Sequence, residues 1–233
     1  SEASIRTEIA PLLTAEYNFD SAFLPFMGST NLVTDNLHDF DGVLTGNPDV
    51  VPGHHTSGNS VHLKVSATGN MGFDSVKFRD HLFPHLIEGS LSMWVRPNPT
   101  TNPATWLFDV EDTTRDHFVI AGNGVKGEYT WRAQKQDGSL LASSNVTLQD
   151  YAWNHLGMTW QRSGNVVFYV NGSANISVDN SGSGWAPDSQ IVSSTPNGYL
   201  DNLEIIDQVI PSGNFYTEFH THHIPSGNYS FEN

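Results

Sequence analysis

Four carboxylates stand where oxygen donors from separate loops could gather: Asp20, Asp39, Asp41 and Asp201. Asp39 and Asp41 fall in a Gly/Asn/Asp-rich connection, and Asp201 ends the run Gly-Tyr-Leu-Asp. Such hard donors suit Ca²⁺, which takes roughly six to eight oxygens at about 2.3–2.6 Å, with backbone carbonyls and water completing the shell. The competing role is a turn aspartate that bonds its own backbone. No EF-hand spacing is present to favour the ion.

A second chemistry is sugar recognition. It needs an aromatic face for the apolar side of a pyranose, with amides and carboxylates for its hydroxyls, held on loops of a rigid scaffold. Two loops have that composition. One runs from Asp179 to Asp188 and carries Asn180 and Trp185; the other runs from Asp109 to Asp116 and carries Asp109, Asp112 and Arg115. A tryptophan amid Gly and Ser has no strand pattern to bury it, so Trp185 is expected at the surface. Folding back onto the sheet is the alternative.

Eleven histidines invite a zinc or iron site, above all His54-His55 and His220-Thr221-His222-His223. Two histidines do not complete such a site, and no carboxylate presents itself behind them. A polar tail is the plainer reading. Gly-x-Ser-x-Gly, a P-loop and His-Glu-x-x-His are all missing, and the acidic cluster Asp109-Val110-Glu111-Asp112 sits at a turn. Four sequons occur, at Asn145, Asn171, Asn175 and Asn228. A chain this rich in Asn, Ser and Thr meets the pattern by chance, and Asn171 lies in a tight turn, so they carry little weight.

Bulk properties narrow the classes further. A net charge of −15 argues against nucleic acid, which is held through basic patches. Without cysteine, neither a disulfide nor a thiolate metal site can form. No apolar run approaches the roughly 20 residues of a membrane span, so membrane insertion is not expected.

The elements that must position these residues read as strands. In Tyr151 to Gly172, Leu156, Met158 and Trp160 alternate with His155, Gly157 and Thr159. Val166, Phe168 and Val170 then alternate with Val167, Tyr169 and Asn171. A period of two with aromatic and β-branched content predicts two antiparallel arms, with the turn at Gln161–Asn165 and a second tight turn at Asn171-Gly172. Trp160 and Phe168 fall on the inward set. A first strand is expected at Glu16–Asp20, another from Ser90 to Pro97, and short ones at Ala104–Val110, His117–Ala121, Glu128–Ala133, Leu140–Val146, Ser173–Val178 and Asn197–Asp207. In Ser90–Pro97, Leu91, Met93 and Val95 face one way, and Ser92, Trp94 and Arg96 the other. Ser21–Ser60 is expected to be one long connection. This spacing of short strands and turns predicts a sandwich.

Four pieces in order carry a resemblance: AEYNFD from Ala15, GSLSMWVRP from Gly89, WNHLGMTWQRSGNVVFYVNG from Trp153, and NGYLDNLEIID from Asn197. Together they resemble the laminin G-like (concanavalin A-like) domains. The resemblance implies an all-β, two-sheet antiparallel jelly roll over residues 14–210, with 1–13 a lead-in and 211–233 a tail or extra strand. It implies that the last strand pairs with the first, and that Asp20 and Asp201 are donors to one Ca²⁺. It implies a structural role for His155. Glucanases of this fold carry Glu-x-Asp-x-x-Glu, a spacing this chain lacks, so a non-catalytic module is expected. The expected function is Ca²⁺-assisted recognition of an extracellular glycan or cell-surface ligand. The setting is a secreted protein, or one displayed on a cell or virion surface. Alternatives are a protein–protein adhesion or oligomerisation module, and an appendage of a polysaccharide lyase or hydrolase.

Overall fold

The structure, a computed structural model, describes the backbone of the strands and the side chains at residues 51, 88–98, 109, 116–120, 128–182, 184–186, 198–201, 203–206 and 208–210. All described elements are strands. In chain order they are β1 (Leu13–Tyr17), β2 (Leu32–Val33), β3 (Gly42–Thr45), β4 (Asp49–Pro52), β5 (Asn59–Leu63), β6 (Ser75–Phe78), β7 (Glu88–Arg96) and β8 (Trp106–Glu111). They continue as β9 (His117–Gly122), β10 (Glu128–Gln134), β11 (Leu140–Thr147), β12 (Asn154–Gln161), β13 (Asn165–Val170), β14 (Ser173–Asp179), β15 (Gln190–Ser193) and β16 (Gly198–Ile206).

Two eight-stranded sheets result. The first has the order β14-β13-β12-β7-β16-β5-β4, with β1 also on β16; the second has the order β11-β10-β9-β8-β15-β6-β3-β2. Pairing is antiparallel, as a jelly roll requires. One edge of β16 is shared: β5 takes Gly198–Leu200, and β1 takes Leu203–Ile206. The expected pairing of first and last strands is therefore present. The first strand itself begins earlier than expected, because its register on β16 runs from Leu13 opposite Ile206 to Tyr17 opposite Leu203. The expected long connection also holds β2, β3 and β4, strands of 2–4 residues too short to show a period of their own.

The central hairpin forms as its alternation predicts. Gly164 N donates to Gln161 O at 3.2 Å to close the first turn. Asn171 and Gly172 have φ of 51° and 79°, the left-handed pair of a type I′ turn. Inward rows from β7, β12, β13 and β16 meet Phe118, Ile120, Tyr129 and Trp131 of the second sheet in one core. Trp160 is 0% and Phe168 1% exposed, the inward placement expected of them.

Alternation did not reveal that β12 is buried on both faces, from Asn154 to Trp160. Behind the first sheet, Tyr169, Ile206 and Ile210 make a second small core with Val167 against it. There Ser90 Oγ donates to Gln208 O at 2.6 Å and accepts from Ile210 N at 3.0 Å, tying the segment after β16 back across the sheet.

In the main core, Tyr129 gives a pH test. Burial first, and the negative charge of Asp150 second, push its phenol up to about 12 from 10.0. The folded state thus holds this proton more tightly than the unfolded chain. The resulting stability is complete below pH 10 and is lost as pH rises toward 12. Denaturant midpoints measured across pH 9–12 should fall over that window, and Tyr129→Phe should shrink the fall. An equal fall in the variant would assign it to other groups.

Candidate functional site

The face of the first sheet turned away from the core carries the chemistry. Register fixes its rows. Arg96 of β7 lies opposite Tyr199 of β16, and Trp94 lies between Asp201 of β16 and His155 of β12. Trp153 immediately precedes β12 and follows the same register toward Arg96. Farther along, Ser92 lies between Glu204 and Gly157, and Ser90 between Ile206 and Thr159.

These rows grade from open to sealed. Trp153, Tyr199, Arg96 and Trp94 are half-buried. Behind them Ser92, His155, Thr159, Asp201 and Glu204 are all buried. At the far end the Gln208–Ile210 segment covers Ser90 and Ile206.

Arg96 organises the open end. Its Nε donates to Tyr151 O at 3.0 Å, and its guanidinium lies 5.0 Å over the Tyr199 ring. Trp153 meets Tyr199 edge-on, with centroids 6.3 Å apart. Trp94 leans on His155 at 5.1 Å. Tyr151, 54% exposed, sits at the rim with φ of 56°. A tyrosine rarely adopts this left-handed backbone, which costs on the order of 1–3 kcal/mol. Its N–H bond to Pro97 O at 3.0 Å and the Arg96 contact hold it there.

The loop beneath is fixed by asparagines. Buried Asn154 accepts from Gln149 N at 3.0 Å and donates to Gln149 O at 3.0 Å and Ala152 O at 2.9 Å. Asn171 accepts from His155 N at 2.8 Å and donates to Asn154 Oδ1 at 3.4 Å. Tyr151 and Trp153 are thereby carried on a braced turn. The arrangement offers three aromatic rings and one fixed cation on a stiff sheet, with carboxylates below.

The residues expected from sequence fall elsewhere. Trp185 is corrected: it is 2% exposed, packs edge-on against Phe118 at 4.2 Å and belongs to the main core. Asn180 is also 2% exposed and clamps that loop. Its Nδ2 donates to Gln161 O at 2.8 Å and Trp185 O at 2.7 Å, and its Oδ1 accepts from Trp185 N at 2.9 Å. The physical reason is local. Gly184 with φ of 62° lets the chain turn back, and Asn180 satisfies the polar groups this buries. At the loop's start, bonds from the Ser181 hydroxyl and then from its N–H hold the Asp179 carboxyl below its usual range.

The two expected loops do meet, since Trp185 Nε1 donates to Asp116 O at 3.2 Å, but the ring lies inside the contact. Asp109 is buried at 2% and pairs with His117 Nδ1 at 3.2 Å. Asp112 and Arg115 lie outside the described residues, as do Asp20, Asp39, Asp41 and both histidine clusters. Asp201 is described, buried beside Trp94 and not on an open loop. Among the described residues no three His, Asp or Glu side chains come together as a metal site.

Sequence reasoning missed two features. The polar set of β7 displayed Trp94 and Arg96, but nothing in it told which partners would join them. A β-bulge between Asp201 and Glu204 turns both carboxylates to the same face. On a regular strand, a spacing of three would have put them on opposite faces.

Residues 68–212 match the sequence profile of the Concanavalin A-like lectin/glucanases superfamily. No curated protein matches the chain by sequence. Among solved structures, domain 4 of AbnA, an extracellular GH43 arabinanase from Geobacillus stearothermophilus in complex with arabinotriose, is 19% identical. Its TM-score is 0.60, over 89% of this chain and 98% of that one. A structure of botulinum neurotoxin type C, whose cell entry depends on interaction with two ganglioside molecules, is 13% identical with a TM-score of 0.65, over 92% and 51%. The botulinum neurotoxin DC binding domain in complex with rat synaptotagmin II is 14% identical with a TM-score of 0.63, over 91% and 52%. The chain spans about half the length of these toxin domains, and the likeness is one of fold.

Proposed function

We propose that this chain, which belongs to the Concanavalin A-like lectin/glucanases superfamily, is a non-catalytic glycan-recognition module. The observation that carries the reading is the half-open cluster of Trp153, Tyr199, Trp94 and Arg96 with exposed Tyr151 at its rim. Aromatic faces cover the apolar side of a sugar ring, and fixed donors read its hydroxyls. Asn154, Asn171 and the β7–β12–β16 pairing hold this cluster before any ligand arrives, so little ordering cost attends binding. Relatives in fold add support, since AbnA domain 4 holds arabinotriose and the type C toxin depends on gangliosides. A secreted or surface-displayed setting follows from the same reading. Among the described residues no helix is long and apolar enough to cross a membrane.

Asp201 and Glu204 share a face but are each 3% exposed, which suits a structural layer more than an acid–base pair acting on a glycan. Ca²⁺ enters the proposal through Asp201 and the three aspartates outside the described residues. Adding Ca²⁺ to metal-depleted protein should raise its melting temperature, and an unchanged temperature would remove the ion.

A glycan array probed with the parent should give a defined set of ligands. Trp153→Ala and Tyr199→Ala should weaken that binding at least about tenfold, the equivalent of about 1.4 kcal/mol. Tyr151→Ala should weaken it less, while the melting temperature stays nearly constant. Full binding by both Trp153→Ala and Tyr199→Ala would move the site off this face.

A further inference from the structure

We propose that Asn145 and Asn175 are acceptor sites for N-linked glycan that shields the two edge strands at one flank of the sandwich, and that Asn171 is not an acceptor. Three sequons lie among the described residues: Asn145-Val146-Thr147, Asn171-Gly172-Ser173 and Asn175-Ile176-Ser177. By sequence they are equivalent. By structure they are not.

Asn171 faces solvent, yet both ends of its amide are engaged. Oδ1 accepts from His155 N, and Nδ2 donates to Asn154 Oδ1. A sugar on Nδ2 would replace one of its two hydrogens and crowd both the contact with Asn154 and a turn that needs φ of 51°. Asn145 and Asn175, by contrast, are exposed on β11 and β14, and Thr147 and Ser177 are exposed with them.

Their location supplies the physical reason for a glycan. β11 ends the second sheet, β14 ends the first, and the two strands lie against one another. Sheet edges template unwanted pairing and are ordinarily blunted by charge, proline, bulges or covering segments. β11 has neither charge nor proline along its whole length, and it exposes Leu140 at 55% and Leu141 at 44%. β14 carries one charge, Asp179 at its end. Each edge strand has one register irregularity, at Leu141 on β11 and at Asn175 on β14, and each also carries a sequon. A bulky, hydrated glycan there would block edge-to-edge approach of a second copy without touching either core.

In the transfer step, Asn Nδ2 forms a bond to the anomeric carbon of a polyprenyl-pyrophosphate-linked oligosaccharide. The bond from that carbon to the pyrophosphate oxygen breaks, the lipid pyrophosphate leaves, and Nδ2 releases one proton. No oxidant or reductant takes part.

The test is to secrete the full chain from cells that perform N-glycosylation and to release glycans enzymatically in heavy-oxygen water, which converts each occupied Asn to labelled Asp. Peptide mass spectrometry of the folded fraction should show label at Asn145 and Asn175 and none at Asn171. Sedimentation should show the glycosylated protein as a monomer. The Asn145→Gln/Asn175→Gln variant, and independently Thr147→Val/Ser177→Ala, should roughly double in apparent mass through edge pairing. Absence of label at both edge positions, or label at Asn171, overturns the site assignment. Unglycosylated variants that stay monomeric overturn the shielding role.

Discussion

Trp160→Ala should lower stability by about 3–5 kcal/mol, the range for removing a fully buried aromatic side chain with the cavity it leaves. The ring is 0% exposed and sits at the hinge of three strands, opposite Gly89 on β7 and Val166 on β13. Its seat is specific. A Cβ added at Gly89 would run into the Trp160 ring and come within 2.8 Å of Ile206 O, so glycine there exists to admit the indole. The surrounding strands belong to two faces that are both buried, which limits collapse into the vacated volume. Equilibrium unfolding in urea, with the slope unchanged, measures the loss directly. At about 2–4 °C per kcal/mol for a chain of this size, the melting temperature should drop by about 6–20 °C. A midpoint equal to the parent's would show that the indole is not in the core. Trp160→Phe, which keeps most of the burial, should fall between the two.

Trp185→Ala should cost a comparable amount, about 3–5 kcal/mol. It removes a ring that is 2% exposed and stacked edge-on against Phe118, and it breaks the bond from Trp185 Nε1 to Asp116 O that links the β14 loop to β9. Asn180→Ala attacks the same unit differently. It leaves Gln161 O, Trp185 O and Trp185 N without the partner that Asn180 supplies. Each buried polar group so abandoned costs about 1–3 kcal/mol. The two substitutions share contacts, so their effects should not add, and the double variant should lie closer to the worse single one. The decisive readout is the contrast with glycan binding. Residual folded Trp185→Ala protein should bind as the parent does, because its ring lies on the opposite side of the first sheet from Arg96. Selective loss of binding with stability intact would return Trp185 to the surface.

Much of the fold was legible because it rests on short-range signals. The alternation in β7, β12 and β13, the Asn-Gly turn and the small polar turn before Asn165 each declare themselves within about ten residues. Those strands pair as the pattern requires. Short strands such as β2, β3 and β15 were hidden, since 2–4 residues cannot show a period and owe their extended form to their neighbours. Trp185 was misjudged for a related reason. Gly and Ser around it speak of a loop, but a loop can fold an aromatic ring inward when a side chain such as Asn180 replaces the strand ladder as partner for its backbone.

By itself, then, the sequence determined an all-β sandwich, the inward set of its central hairpin, the surplus of negative charge and the lack of familiar catalytic motifs. Each of these follows from residue type or from a period of two, which need no knowledge of distant chain. Only the tertiary structure decided which polar residues meet. Tyr199 comes to Arg96 across more than a hundred residues because β16 inserts between β7 and β5, and a single bulge turns Asp201 and Glu204 to one face. The three described sequons differ for the same reason: the exposed Asn171 amide meets His155 N and Asn154 Oδ1, while Asn145 and Asn175 are exposed on the edge strands β11 and β14. Pairing between strands far apart in the chain is set by how the whole sheet closes, and no local spacing encodes it.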